Sequence, residues 1–126
     1  MEIGQKHRVS TLVTKDLTAA AAGSGRLLVY GTPFMLALME QAACECVQAQ
    51  LDDGCGTVGT MLNVAHTSAT PVGMEVTAEA ELTAVDGRKL TFAVTAWDER
   101  GQIGAGTHER FIIFEEKFLA KTYDKL

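Results

Sequence analysis

A chain of 126 residues, 47% of them apolar, is long enough for one domain, 1–126, with a single core and no need of staples. No apolar run approaches the ~18 residues of a membrane span, and the opening MEIGQKHRVS lacks a signal peptide's apolar segment, so a soluble, cytoplasmic protein with no membrane partner is expected. A net charge of −5 argues against nucleic acid as a partner, because binding it relies on neutralising phosphates with a basic surface.

The first element in chain order is a weakly alternating segment from about His7 to Thr14, which suggests a strand. The stretch AAAAGSG from Ala19 to Gly25 follows and is expected to be a mobile loop. After it comes a long apolar helix, FMLALMEQAACECVQAQL from Phe34 to Leu51, with Thr32 as its N-cap and Pro33 at its first position. Gln41, Glu45, Gln48 and Asp52 form its solvated stripe. At 100° per residue Glu40 lies roughly 110° from the centre of that stripe, on the flank of the apolar side. A carboxylate there loses hydration unless something pairs with it, and a desolvated carboxylate is suited to act as a base or a nucleophile. The bland alternative is a boundary residue reaching water.

The same helix carries Cys44 and Cys46, which point in different directions, and with Cys55 the count is odd. All three read as reduced. A metal site from these cysteines and a histidine would lack the two-residue spacing usual between thiolate ligands, so no metal is expected.

The remainder reads as β structure. A strand runs from about Thr57 to Ala69 and is closed by Pro71-Val72-Gly73. From Met74 to Val85 apolar and polar residues alternate strictly, Asp86-Gly87 gives a hairpin turn, and Leu90, Phe92, Val94 and Ala96 repeat the pattern. A turn at Asp98 to Gly101 leads into a last strand from about Gln102 to Phe114. Strand, long apolar helix, then four mostly antiparallel strands is an α+β order whose economical solution is one five-stranded sheet wrapped around one helix, the hot-dog architecture. Open sheet edges and one open flank of the helix predict a homodimer or a higher homo-oligomer.

His66 shares a strand face with Leu62 and Val64 near the strand's end, where a satisfied rim histidine is the commoner role. Thr32 alone is explained by capping. Together, however, a hydroxyl at the helix start, a carboxylate two turns in and an imidazole on a covering strand are the types that orient a water or activate a nucleophile. His7 and His108 are expected to be dispensable.

The segments YGTPFMLALMEQAAC, TVGTMLNVAHTSATPVG and GAGTHERFIIFEEKF resemble the fluoroacetyl-coenzyme A thioesterase family of hot-dog proteins, from about Val29 to Phe118. The resemblance implies a catalytic set of Thr32, Glu40 and His66, with Gly59 of TVGT helping to hold the thioester carbonyl. It implies no cofactor, coenzyme A being part of the substrate. The chain departs from the family in two places. Leu17 to Leu28 contain no aromatic where the family has a phenylalanine lid, and Thr83 stands where a basic residue is associated with the third strand.

The expected function is therefore an acyl-CoA thioesterase acting on short or medium acyl groups, with Glu40 as base or nucleophile and His66 as proton shuttle. Tyr30 and Phe34 at the start of the helix would line the acyl pocket; Arg88 and Lys89 at the hairpin turn, with Lys117, Lys121 and Lys125 near the C-terminus, would contact substrate phosphates, the bland alternative being solvated charge. Two rivals are a non-catalytic hot-dog module that binds an acyl-CoA or small ligand, and a hydratase or dehydratase on the same fold. The second lacks the helix histidine motif such an enzyme would carry.

Overall fold

The computed structural model describes all 126 residues. Five antiparallel strands form one sheet in the order β1-β3-β4-β5-β2, with β1 Lys6–Leu12, β2 Cys55–His66, β3 Glu75–Asp86, β4 Lys89–Asp98 and β5 Gly101–Phe114. The α2 helix, Thr32–Gln48, lies across its concave face. This is the expected hot-dog arrangement.

Alternation explains the packing. Val76, Ala78, Ala80 and Leu82 of β3 and Leu90, Phe92, Val94 and Ala96 of β4 are buried against Met35, Leu38, Met39, Ala42, Ala43 and Val47 of α2. A register shift between Leu82 and Ala84 breaks the pattern, so Ala84, expected inward, is exposed. At the hairpin Asp86 pairs with Lys89, and Gly87 takes φ +61°, a left-handed conformation that suits glycine. The polar stripe Gln41, Glu45, Gln48 and Asp52 is exposed as expected.

Four expectations need correction. Ala19–Ala22 form a one-turn helix, α1, rather than a loop, because the Ala21 N–H donates to Thr18 Oγ1 at 3.1 Å and Gly23, at φ +72°, closes the turn. The α2 helix is capped by Gly31, not Thr32, and no side chain caps it; Thr32 and Pro33 occupy the first two helical positions. The strand expected to reach Ala69 ends at His66. A further helix, α3, Glu115–Tyr123, follows β5 and was not expected; its Phe118, Leu119 and Tyr123 are exposed.

Candidate active site

Freed from capping, the Thr32 hydroxyl lies 2.7 Å from His66 Nδ1, a hydrogen bond from the first turn of α2 to the last residue of β2. The two residues line one cavity of about 290 Å³, whose other walls include Tyr30, Val29, Ala19 and Ser24. Burial holds the His66 imidazole below its usual pKa, against a smaller opposing effect of the Ser68 backbone, so the ring is neutral near pH 7. Its Nε2 is buried and without a partner within the chain. A hydroxyl bonded to a neutral imidazole is the geometry in which oxygen can be activated for attack on a carbonyl.

Glu40 sits elsewhere. Eight residues on from Thr32, it is about 12 Å further along the helix axis at 1.5 Å per residue, and its carboxylate pairs with Arg110 rather than with His66 or Thr32, Oε2 lying 3.5 Å from Nη1. The side chain of Arg110 is 8% exposed and that of Glu40 39%. Arg110 is fixed by Thr57 as well, donating from Nε to Oγ1 at 2.8 Å and from Nη2 to the carbonyl at 2.9 Å.

His108, fully buried, completes this second cluster. Its Nδ1 donates to the Met61 carbonyl at 2.8 Å, and Arg110 Nη1 lies 3.3 Å from its Nε2, which must accept. Those two bonds fix the neutral tautomer. Burial, the main cause, lowers its pKa, and the Arg110 charge adds to the effect. His108, expected to be dispensable, has a structural part in this cluster: it supports the cation that faces Glu40. His7 is at the surface, 3.0 Å from Glu45.

Gly59 does lie at the Glu40 cluster. A β-carbon there would meet Glu40 Oε2, with His108 Cε1 at 3.2 Å and Arg110 Nη1 at 3.3 Å. Phe34 lines a second cavity of about 190 Å³ together with Tyr30, Leu17, Ala37 and Leu38. Arg88 and Lys89 are remote from the Thr32–His66 cavity. Lys89 Nζ is 3.2 Å from Glu109 Oε2, and Arg88 shares a surface depression with Phe114, Lys117, Phe118 and Lys121.

Sequence reasoning missed Arg110 and His108. The signal was present: in THERF, His108 and Arg110 share a face of the last strand with Ile112, so two polar side chains had to point into the core. No group of three or more His, Cys, Asp or Glu side chains is placed to hold a metal ion.

With this geometry in view, comparison with known proteins is decisive at the family level. Residues 13–116 match the FlK family, fluoroacetyl-CoA-specific thioesterases. The fluoroacetyl-CoA thioesterase of Streptantibioticus cattleyicolor is 47% identical over 97 residues, covering 77% of this chain and 70% of that protein. This chain belongs to that family. A variant of the fluoroacetyl-CoA thioesterase FlK, solved in complex with acetyl-CoA, superposes with a TM-score of 0.95 at 37% identity over 99% of this chain and 98% of the other. A thioesterase superfamily member from Thermus thermophilus superposes at 0.90, with 26% identity over 98% and 91%. The chain is thus a hot-dog protein of a thioester hydrolase family. None of its helices is long and apolar enough to cross a membrane.

Proposed function

We propose that this protein is a cytoplasmic acyl-CoA thioesterase for short or medium acyl groups and that it works as a homodimer. The observation that carries the reading is the 2.7 Å bond between Thr32 and His66, facing a cavity in a chain of the FlK family. Belonging to that family weighs against the hydratase and the pure binding module. Three free cysteines suit a reducing compartment.

In this reading water adds to the thioester carbonyl and the thiol leaves, giving a carboxylic acid and free coenzyme A. Neutral His66 relays the proton released by the attacking water to the departing sulfur, while Thr32 holds the attacking oxygen in line. Glu40 acts as base on the water or as nucleophile, and its ion pair with Arg110 keeps it aimed. A backbone N–H at Gly59 polarises the carbonyl.

The 12 Å offset between Glu40 and the Thr32–His66 pair is the reason for a dimer. The β2 strand is a twelve-residue sheet edge with Gly59 near one end and His66 at the other. Antiparallel pairing of β2 with its copy about a two-fold axis brings Gly59 and Glu40 of one subunit opposite Thr32 and His66 of its partner. Each site then draws on both chains. Release of free thiol from a panel of acyl-CoA thioesters tests the activity directly; no hydrolysis of any member would end this reading.

A further inference from the structure

Two buried side-chain polar atoms in the whole chain lack a hydrogen-bond partner, Tyr30 Oη and His66 Nε2, and both belong to residues lining the Thr32–His66 cavity. His66 has work to do there. Tyr30 has none in the reaction as described, although it is only 2% exposed and a phenol so enclosed normally finds an acceptor. Its neighbourhood holds it in place. The Tyr30 N–H donates to the Thr70 carbonyl at 2.9 Å, the residue forms a bridge with Thr18, and the next N–H, of Gly31, donates to the Leu17 carbonyl at 2.9 Å. The ring stands as a partition, because Tyr30 is the one residue shared by the reaction cavity and the apolar cavity walled by Phe34, Ala37 and Leu38.

We propose that the Tyr30 hydroxyl is a specificity-determining donor that recognises an oxygen on the acyl chain beyond the thioester carbonyl. The preferred substrates are then acyl thioesters bearing a ketone or ether oxygen a few bonds from the reacting carbon, over plain alkanoyl thioesters of equal length. The argument is one of differential desolvation. An alkanoyl chain leaves the enclosed phenol unpaired, whereas an acceptor on the chain satisfies it, and a site built to donate a hydrogen bond rejects the analogue that lacks the acceptor. Phenylalanine would have filled the partition equally well. Burial also pushes the Tyr30 pKa up to about 12, so the group remains a donor throughout the working pH range.

The inference rests on the thioesterase reading, and its test separates the two. Methoxyacetyl-CoA and butyryl-CoA differ by one oxygen in place of one methylene, and acetoacetyl-CoA adds a ketone. For the native protein kcat/KM should favour the oxygenated substrates by ~10-fold or more, a ratio that Tyr30→Phe brings to about one. The Tm of Tyr30→Phe should stay level or rise, since an unpartnered buried hydroxyl is gone. An equal loss on every substrate would assign the hydroxyl to the thioester or the coenzyme and overturn the proposal. So would an unchanged ratio, or a Tm lowered by several degrees, which would mean a structural bond. Dissociation constants of the corresponding non-hydrolysable thioethers, measured by calorimetry, read the same contact without turnover. If the native protein hydrolyses nothing, the thioesterase reading falls and the thioether ratio still decides the role of Tyr30.

Discussion

The Glu40 carboxylate occupies the space in which a β-carbon on Gly59 would sit. The atom displaced by a side chain there is the tip of a partly exposed, flexible glutamate rather than backbone, so Gly59→Ala should fold and lose little stability. Activity is another matter, because a misplacement of about 1 Å at a reacting group is worth ~10²-fold. We expect kcat to fall by that order while Tm shifts by no more than a few degrees. A Gly59→Ala protein with native turnover would remove Gly59 and the aim of Glu40 from the account.

Much of this was legible in the sequence. The strict alternation of Val76 to Leu82 and of Leu90 to Ala96 specified two core strands, and the all-round apolar helix demanded a wrapping sheet. Thr32, Glu40, His66 and Gly59 could be named, but not the way they group. Helical rise separates Thr32 from Glu40, and only the antiparallel pairing of β2 with β5 sets Gly59 opposite Arg110. Capping misled for a physical reason: the extended backbone of Gly31 makes it the cap, so the helix begins one residue earlier than expected, at Thr32, and the Thr32 hydroxyl is released to His66.

Burial of His66 and His108 sets the pH behaviour. Both pKa values are lowered in the folded state, so the unfolded chain binds more protons over an interval below the ordinary histidine value of about 6.5. Stability should therefore fall as pH drops through that interval and be level above it. In the same range kcat/KM should show an acidic limb as His66 takes a proton, and His66→Ala should remove the limb with most of the activity. An identical pH profile in His66→Ala would reduce His66 to a structural residue.

Selectivity between fluoroacetyl-CoA and acetyl-CoA should be modest in spite of the family. The cavity wall contributed by the segment before α2 consists of Ala19, Ser24, Val29 and Tyr30, with no aromatic between Leu17 and Leu28 to close on a single fluorine. Loose apolar contacts discriminate by ~1–3 kcal/mol. A kcat/KM ratio above ~10³ for fluoroacetyl-CoA would show that another part of the chain supplies the fit.

Sites shared between subunits make a mixing experiment informative. Light scattering at micromolar concentration should give about twice the 13.5 kDa chain mass. Glu40→Gln and His66→Ala, each nearly inactive, should recover roughly a quarter of native activity when re-associated together, since half the dimers are mixed and each holds one intact site. No recovery would place Glu40 and His66 in the same chain's reaction.

The claim at the centre is that Glu40 takes part in the chemistry, and thiol release by Glu40→Gln against Glu45→Gln tests it most directly. Glu45 lies on the exposed stripe of the same helix, bonded to His7 and Gln41, and its replacement should leave turnover unchanged. Glu40→Gln should lower kcat by at least ~10². It should also cost some stability, by removing the counter-ion of buried Arg110, yet less than the ~3–5 kcal/mol of a fully buried pair because Glu40 is 39% exposed. Native rates on every thioester tested, from a folded Glu40→Gln protein, would contradict the account.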